Sequence, residues 1–386
     1  MIRSIGILGG GQLGRMLTLE AKRMGYRVVT LEPLPNAPAG QVADEQIVAT
    51  YDDVRAIGEL GARTDVVTYE FENIALDSVR SLEEDGRIVR PSADVLRVTQ
   101  DRTLEKAFIR SADCETAAFA EVRTLLDLQN ALRAIGLPGV LKTALGGYDG
   151  KGQWVVRSQV DAQEAFIAAA GRTLIYERLI PLEKEVSIIC ARGADGATIS
   201  FPVSENIHDH GVLITSIVPA RISQEQATRV QRMATQIGEH LRIVGAYCVE
   251  FFIAGEQIYV NEIAPRVHNS GHYSLDATQI SQYEAHVRAI CDLPLVQPKL
   301  FGAAVMVNIL GAGTGDVLSG VENLLRDPDV KLHVYGKVHA ARRRKMAHFT
   351  VVSATLEEAL AKAEAGRRML SWTPARGRAA ESARSR

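Results

Sequence analysis

Hydrophobic residues in the first hundred positions alternate between strand-like runs and a helical stripe. Positions 13, 16, 17, 21 and 24 are apolar, which is the spacing of one helix face. Apolar runs of strand length lie on both sides of this stripe, namely SIGILGG, RVVTLEP, DEQIVAT and DVVTYEFEN. Strands that alternate with helices predict a parallel sheet with crossover helices. After Asn73 the pattern moves away from further units of this kind.

Two regions with different patterns follow. From Thr103 to Pro181 the sequence predicts a helix near 124–135 and a glycine-rich hairpin at 140–156. Beyond this, strand-like runs such as EVSIICAR and QIYVNEIA surround one clear helix at 224–242, which favours a larger mixed or antiparallel sheet. The predicted class is therefore α/β and α+β. We predict a Rossmann-like substrate-binding domain at 1–102, a small mobile lid domain at 103–181, a larger domain at 182–372 and a disordered tail at 373–386.

Composition and charge narrow the class of protein. A chain of 386 residues is long enough for two or three domains, and 46% hydrophobic with 23% charged residues is typical of a globular protein. A net charge of −2 provides no general attraction for nucleic acid, so no such partner is expected. The four cysteines form no C-x-x-C pair, which is typical of free thiols in a reducing compartment. No apolar run approaches the roughly 18 residues that span a membrane. We expect a cytoplasmic protein without a membrane partner.

Two acidic residues, Glu250 in AYCVEFF and Glu262 in YVNEIAPR, lie in alternating runs on either side of Gly255. If these runs form a hairpin, both carboxylates share one face. Directly opposed like charges are destabilising, so the pattern favours a bound cation. Hard oxygen ligands beside a nucleotide phosphate predict Mg²⁺. A solvated sheet face is the alternative.

The opening GILGGGQLGRM places Gly9, Gly11 and Gly14 in G-x-G-x-x-G spacing, with Glu32 at the end of the next strand. Such a loop lets a ligand approach the backbone, and a helix N-terminus offers free N–H groups to an anion. A dinucleotide and a ribonucleotide phosphate are both compatible with it. A tight turn without a ligand is the third possibility, and Gln12 adds a side-chain amide there.

A second glycine-rich segment, VLKTALGGYDGKGQWVV, combines four glycines with Lys142 and Lys151. Such a loop presents backbone N–H groups and a mobile cation, as expected of a lid over polyphosphate. It is not a P-loop, because G-x-x-x-x-G-K-[ST] is absent. In the following LIYERLIPLEKEV, Glu177 and the backbone of 178–180 are candidates for an adenine edge, and Glu185 for ribose hydroxyls. Surface charge is the alternative for these acidic residues.

The block NEIAPRVHNSGHYSLDA is dense in polar side chains. Arg266 offers a bidentate fork for a small oxyanion such as bicarbonate or phosphate, and His268 could orient that anion or move a proton. A zinc site built from Glu262, His268 and His272 competes with this interpretation, but Pro265 and Gly271 disfavour the helix that the histidine spacing requires. Near the C-terminus, Lys337 and the run 342–345 form either a solvated face or a phosphate clamp.

These segments together, GGGQLGRM, YEFENI, QDR, LKTALGGYDGKGQW, ENIH, VEFF, VNEIAPRVHNSGHYSLDA and SQYEAHVRAI, resemble the 5-(carboxyamino)imidazole ribonucleotide synthases of purine biosynthesis. The resemblance runs in order from about residue 5 to 350. It implies the ATP-grasp fold and a homodimer. It also implies that ATP and bicarbonate carboxylate the amino group of aminoimidazole ribonucleotide through carboxyphosphate.

The resemblance also implies the site residues. Mg²⁺ would be held by Glu250 and Glu262, the ribonucleotide by Gln12, Leu13, Glu72, Tyr176, Arg344 and Lys345, and bicarbonate by Arg266, His268 and Asn269, with Lys337 as a further catalytic group. ATP would be contacted by Arg102, Lys142, Gly147, Tyr148, Asp149, Gly150, Lys151, Gly152, Gln153, Glu177, Arg178, Leu179, Ile180, Glu185, His208, Asn261 and Glu262.

One segment departs from the family pattern. The family has a stretch resembling Pro-Gly-Arg-Lys-Met-Gly-His, whereas this chain has arginine at 343 and alanine at 347 in place of the two glycines. Their loss is expected to restrict this loop. Two other functions stay open at this point: a different ATP-grasp carboxylate–amine or formyl-transferring ligase, and an NAD(P)-dependent oxidoreductase based on the first glycine loop.

Overall fold

The computed structural model describes residues 2–147 and 152–374, and its amino-terminal part is a parallel sheet, as predicted. Five strands lie in the order β3-β2-β1-β4-β5, all parallel. They are β1 Ser4–Leu8, β2 Arg27–Leu31, β3 Glu45–Ile47, β4 Val66–Tyr69 and β5 Ile88–Val89, with helices α1 Gln12–Arg23, α2 Val54–Arg63, α3 Leu76–Glu84 and α4 Ala93–Gln100. The prediction that such units stop after Asn73 is wrong, because α3 and the two-residue β5 add one more. Their shortness left little periodic signal.

A small antiparallel sheet follows, which we call the lid sheet. Its order is β6-β9-β7-β8. The segment contains α5 Arg102–Ser111, β6 Phe119–Val122, α6 Leu125–Ile135, β7 Gly139–Thr143, β8 Gln153–Val156, α7 Gln159–Ala168 and β9 Leu174–Arg178. Capping boxes at Thr124 and Ser158 begin α6 and α7. The helix α5 packs against the larger sheet described next, where Ile109 is buried.

The rest of the described chain builds a nine-stranded sheet in the order β15-β14-β10-β12-β13-β16-β19-β18, with β11 paired to β10, and its pairs are antiparallel. The strands are β10 Lys184–Arg192, β11 Thr198–Ser200, β12 Ser204–Asp209, β13 Val212–Val218, β14 Gly245–Ala254, β15 Gln257–Ala264, β16 Ala303–Leu310, β17 Val317–Ser319, β18 Val330–Val334, β19 Lys345–Ser353 and β20 Ser371–Thr373, and β17 pairs with β20 apart from the sheet. The helices are α8 Gln224–His240, a 3₁₀ turn Asn269–Gly271, α9 Ser274–Ala277, α10 Gln282–Ile290, α11 Val321–Leu324 and α12 Leu356–Met369. Thr373, predicted to begin the disordered tail, is instead paired with Val317.

Two hydrophobic cores cover the faces of the large sheet and fix where the amino-terminal sheet lies. On one face α8 packs with α5 through residues such as Val230 and Ile109. On the other face Met16 and Leu17 of α1 share a core with Tyr283 of α10 and Cys248 of the large sheet. Glu72, which follows β4, contacts Arg266, which follows β15, so the carboxyl end of β4 faces the end of β15. Among the described residues, no helix is long and apolar enough to cross a membrane.

Candidate active site

The predicted acidic hairpin is present, and its two carboxylates lie directly opposite each other. Glu250 on β14 pairs with Glu262 on β15, with a bulge immediately after Glu250. The two side chains have different neighbours. Glu262 Oε2 lies 3.0 Å from Arg102 Nη1, whereas Glu250 Oε1 lies 3.4 Å from His268 Nε2.

These neighbours separate the pKa values of the two carboxyls. Burial raises the pKa of Glu250 to about 7, and the nearby Glu262 carboxylate adds to the rise. Burial also acts on Glu262, but Arg102 more than offsets it and lowers the Glu262 pKa. Glu262 is therefore ionised at neutral pH, and a cation would stabilise the charge on Glu250.

The donor set around this pair fits Mg²⁺. Both carboxylates supply hard oxygen ligands. The adjacent Asn261 adds a buried Oδ1 that has no hydrogen-bond partner within the described part of the chain. Asn261 lines the same cavity as both carboxylates, and its orphaned acceptor is one that an oxygen-preferring cation or a donor-rich ligand would satisfy.

A cavity of about 420 Å³ adjoins the acidic pair. Its walls are polar and come from the lid sheet and the large sheet: Arg102, Lys142, Gly147, Gly152, Gln153, Glu185, His208, Gly211, Leu213, Glu250, Phe252, Asn261, Glu262, His268, Asn269 and Lys345. Most of the residues predicted to bind ATP are therefore brought together here. Glu185 lies 2.6 Å from His208 Nδ1, and it raises the pKa of His208 although burial acts in the opposite direction.

A buried charge cluster lies behind this cavity and includes residues that the sequence did not single out. Glu177 Oε2 lies 3.1 Å from Lys142 Nζ and 3.3 Å from Lys106 Nζ, and Lys106 donates to the Asn261 carbonyl at 2.8 Å. Burial alone would raise the pKa of Glu177, but the two lysines bring it down to about 2. The other Glu177 oxygen, Oε1, is buried without a partner among the described residues, so it can accept a hydrogen bond from a ligand.

Glu105 and Lys106 were not predicted as site residues, although their spacing in the sequence indicates a polar site. Arg102, Glu105, Lys106 and Ile109 lie at i, i+3, i+4 and i+7, which is one face of a helix. This face is buried, with Lys106 only 1% exposed. Charged residues on the buried stripe of a helix rarely lack partners, so the stripe points to a polar site.

A second cavity of about 450 Å³ adjoins the first. It is lined by Gln12, Leu13, Phe71, Glu72, Asn73, Thr99, Gln100, Arg102, Glu105, Ala144, Gly146, Gly147, Glu262, Ile263, Ala264, Arg266, His268, Asn269 and Lys345. The two cavities share a wall made by Arg102, Gly147, Glu262, His268, Asn269 and Lys345. The predicted ribonucleotide residues Gln12, Leu13 and Glu72 therefore lie across this wall from the predicted ATP residues.

The predicted oxyanion residues are held in place: His268 and Asn269 at the shared wall, and Arg266 in the second cavity. Arg266 donates to both oxygens of Glu72, from Nε at 2.5 Å and from Nη2 at 2.9 Å. His268 Nδ1 lies 2.9 Å from Ser270 Oγ, and burial together with Arg266 lowers the His268 pKa well below its usual value. Its imidazole is thus neutral at pH 7. Asn269 exchanges two hydrogen bonds with the Asn308 amide, at 3.1 and 2.7 Å.

Two carboxylates of the same chain occupy the backbone amides of the first glycine loop, which was not predicted from the sequence. The Glu70 carboxylate accepts from the backbone N–H groups of Gly11 and Gly14, and Glu32 accepts from Gly10 at 3.0 Å. A Cβ at Gly9 would lie 2.3 Å from Glu70 Cγ, and one at Gly11 would lie 2.8 Å from its Oε1. These glycines make room for Glu70, and the amides that a dinucleotide pyrophosphate would need are occupied. The structure thus argues against the oxidoreductase alternative.

The structure does not support the predicted contacts of the Tyr176 and Arg344 side chains or of the backbone amides at 178 and 179. Tyr176 is fully buried in the lid-sheet core, where its hydroxyl donates to the Gly136 carbonyl at 2.8 Å. Neighbouring residues of a strand point to opposite faces, and Glu177 faces the cavity, so Tyr176 faces away from it. The exposed Arg344 donates to the His339 carbonyl, away from both cavities. The backbone amides of Arg178 and Leu179 already donate to the Ala118 and Pro138 carbonyls, so the Ile180 amide is the candidate N–H donor to adenine in this segment.

Other predictions concern loops. Tyr148, Asp149, Gly150 and Lys151 lie outside the described residues. Lys337 donates to Gln12 Oε1 at 2.6 Å and to the Lys345 carbonyl at 2.7 Å, which places it beside the second cavity. In the segment that departs from the family pattern, Arg343 keeps a left-handed φ of 65° where the family has glycine, and its guanidinium contacts Asp209.

The zinc alternative is not supported. His272 is buried, with Nδ1 3.0 Å from the Tyr283 hydroxyl and its ring 4.6 Å from that of His348. Among the described residues, two groups of three His, Cys, Asp or Glu side chains are close enough together to hold a metal ion: Cys248, Glu250 and His268, and Asp276, His333 and His348. Neither contains His272 or Glu262, so the proposed ligand set is not assembled.

Three family models match successive parts of the chain between residues 2 and 362. A ribonucleotide synthetase preATP-grasp domain matches residues 2–100, an ATP-grasp domain matches 107–283, and a phosphoribosylaminoimidazole carboxylase C-terminal domain matches 304–362. A protein of Bacillus subtilis (strain 168) named N5-carboxyaminoimidazole ribonucleotide synthase is 41% identical over 359 residues, covering 92% of this chain and 92% of that protein. The chain belongs to the N5-carboxyaminoimidazole ribonucleotide synthase family.

Solved structures of N5-carboxyaminoimidazole ribonucleotide synthases have the same fold. The Staphylococcus aureus enzyme complexed with ADP is 37% identical, with a TM-score of 0.88 over 94% of this chain and 96% of that chain. The Aspergillus clavatus enzyme in complex with ADP and 5-aminoimidazole ribonucleotide is 30% identical, with a TM-score of 0.89 over 95% and 98%. The family, the ATP-grasp fold and the ATP-dependent ligase class predicted from the sequence are confirmed.

Proposed function

We propose that the protein uses ATP and bicarbonate to carboxylate the amino group of 5-aminoimidazole ribonucleotide. The products are 5-(carboxyamino)imidazole ribonucleotide, ADP and phosphate, in purine biosynthesis. The observation that carries the proposal is the wall shared by the two cavities, since it lets a group pass between a nucleotide on one side and a ribonucleotide on the other. The Aspergillus clavatus relative, whose structure contains ADP and 5-aminoimidazole ribonucleotide, supports it.

The first cavity suits Mg-ATP. Lys142 and Arg102 place positive charge on its wall, where it would attract the phosphates, and Glu185 can accept from ribose hydroxyls. The unpartnered Glu177 Oε1 and the Ile180 amide are candidates for the adenine. Glu250 and Glu262, with Asn261 Oδ1, would hold Mg²⁺, which neutralises phosphate charge when bound.

The shared wall, together with Arg266 of the second cavity, suits bicarbonate. Arg266, His268 and Asn269 would hold the anion beside the γ-phosphate, so that an oxygen of bicarbonate forms a bond to phosphorus as the bond from phosphorus to ADP breaks. The amine then forms a bond to the carboxyl carbon of carboxyphosphate, or of CO₂ released from it, with loss of phosphate and of an amine proton. No nucleophilic side chain is needed, because positioning and charge neutralisation perform the catalysis. The neutral His268 can orient the anion or accept a proton.

The second cavity suits the ribonucleotide. Gln12, Leu13 and Glu72 line it, and Lys337 is held against Gln12 by their hydrogen bond. Lys345 lies on the wall common to both cavities. Closure of the predicted lid over these cavities would exclude water, which otherwise hydrolyses carboxyphosphate.

The domain boundaries, the homodimer and the cytoplasmic location stay predictions. The homodimer is supported by the family resemblance. The location is supported by the four cysteines, which are all buried and free.

Phosphate release from Mg-ATP tests the proposed function. We expect release to require bicarbonate and to be stimulated by 5-aminoimidazole ribonucleotide. Release that is indifferent to both compounds would contradict the proposal and would indicate an ATP-grasp ligase for another acid and another amine.

A pair of variants on one hairpin tests the acidic site. We expect Glu262→Gln to abolish turnover without unfolding the chain, because it removes a charged metal ligand. Glu256→Gln, at the exposed turn of the same hairpin, should keep full activity. Equal activity of the two variants would refute the Mg²⁺ assignment.

A further inference from the structure

The guanidinium of Arg266 is engaged by protein groups although it lines the cavity. Its Nε and Nη2 both donate to Glu72, as a bidentate pair, and its Nη1 donates to the Val267 carbonyl at 3.1 Å. The pair is largely buried, with side chains 13% and 23% exposed. The Nε–Nη2 edge is one of the guanidinium edges that present two parallel N–H donors to a planar oxyanion. Glu72 fills this edge.

Bicarbonate has the same planar pair of oxygens as a carboxylate, so it competes with Glu72 for this edge. The two anions cannot occupy one pair of donors together, because each N–H directs a single bond along one line. Arg266 therefore accepts bicarbonate at this edge only after the Glu72 carboxylate has moved.

The backbone around Glu72 is fixed, so the side chain is the part that can move. Gln100 Nε2 donates to the Glu72 carbonyl at 2.5 Å and to the Ile74 carbonyl at 2.7 Å. The Glu72 side chain also lines the second cavity. Its carboxylate has lone pairs beyond the two that Arg266 uses, and these can accept hydrogen bonds from a hydroxyl or amine bound there.

We propose that Glu72 keeps the anion-binding edge of Arg266 closed until the ribonucleotide draws the Glu72 carboxylate into the second cavity. This inference rests on the function proposed above and adds an order to it: ribonucleotide first, then bicarbonate. A ligand shifts such an equilibrium by its preference for one of the two states, and here the ribonucleotide prefers the state in which Arg266 is free. Carboxyphosphate is then formed slowly without the amine that consumes it and faster when that amine is present.

The test is bicarbonate-dependent phosphate release from Mg-ATP without ribonucleotide, in the wild type and in Glu72→Gln. The amide of glutamine keeps the shape but loses the charge that holds Arg266. We expect the KM for bicarbonate in this uncoupled reaction to fall about tenfold, within the range usual for coupled sites, and the ribonucleotide to lose its stimulation. Glu72→Asp, whose shorter side chain cannot reach both nitrogens, should shift the KM in the same direction.

The matched control is Asp292→Asn. Arg90 and Asp292 also form an ion pair between the amino-terminal part and the large-sheet part of the chain, at 2.7 Å, but outside both cavities. This variant should keep the wild-type KM and full stimulation by the ribonucleotide. A shift of similar size in the control would show that any loss of contact between the two parts uncouples the enzyme, and the proposal would be overturned.

Two further outcomes separate the inference from the proposed function. If the wild type shows bicarbonate-dependent, ribonucleotide-stimulated release but neither Glu72 variant lowers the KM for bicarbonate, only the inference fails. A Mg-ADP thermal shift equal to that of the wild type shows that the variants are folded. If the wild type itself shows no bicarbonate dependence, the proposed function fails and the inference fails with it.

Discussion

The two glycine-rich loops of this chain look similar in sequence, yet they differ in what they face. In the amino-terminal glycine loop (residues 9–14), Glu70 accepts from the backbone amides of Gly11 and Gly14. In the lid glycine loop (residues 146–152), Gly147 and Gly152 line the first cavity, and Gly146 has open space where a Cβ would lie. Glycine spacing thus predicts a tight turn in both loops. Whether a ligand can bind there depends on whether a residue from a distant part of the chain already occupies the backbone amides.

Among the tests of this difference between the two loops, Glu70→Ala is expected to have the largest effect. Two backbone donors lose their acceptor in a buried place, so the free energy of unfolding should fall by roughly 3 kcal/mol. Urea denaturation measures this. Glu84→Ala, exposed on the neighbouring α3, is the control and should stay within about 0.5 kcal/mol of the wild type. If the two variants are equally stable, Glu70 does not hold the loop.

The second-largest effect is expected in the melting temperature when a ligand is added. At a concentration about a hundred times its Kd, Mg-ADP should add about 2.7 kcal/mol to the free energy of unfolding and so raise the melting temperature. NAD(H) should leave it unchanged, because Glu70 and Glu32 occupy the amides of the amino-terminal loop. Stabilisation by NAD(H) and not by Mg-ADP would reverse the roles of the two loops.

The smallest effect compares Gly152→Ala with Gly86→Ala. Both glycines have left-handed φ, 70° and 74°, so each alanine costs about 1 kcal/mol of strain. A Cβ at Gly152 also meets Thr143 Oγ1 at 2.8 Å, whereas one at Gly86 meets nothing within 4 Å. We expect the KM for ATP to rise roughly fivefold only in Gly152→Ala. An equal rise in both variants would mean that the lid loop acts through stability alone.

Local patterns predicted much of this molecule, because they report on neighbours along the chain. The alternation through Glu250 and Glu262 was enough to place both carboxylates on one face of a hairpin, and the structure confirms that hairpin. The parallel amino-terminal sheet and the helix at 224–240 likewise follow from periodicity.

What the sequence did not reveal depends on contacts between distant segments. Glu70 fills a loop 56 residues away, at Gly14, and no local pattern shows this. Tyr176, which the resemblance implied at the ribonucleotide, lies instead in the lid-sheet core, on the face of β9 opposite to Glu177. Lys106 was missed although its helix stripe carried a signal, since its partners lie on β9 and β15.

The most direct test of the central claim follows oxygen from bicarbonate into phosphate. The enzyme is given Mg-ATP, 5-aminoimidazole ribonucleotide and ¹⁸O-labelled bicarbonate, and the phosphate is analysed by mass spectrometry before the label exchanges with water. If the γ-phosphoryl group passes to bicarbonate at the shared wall, each phosphate carries one ¹⁸O, because the bond between carbon and oxygen breaks when the amine attacks or CO₂ leaves. Phosphate without label would show that bicarbonate is never phosphorylated, and would contradict the account.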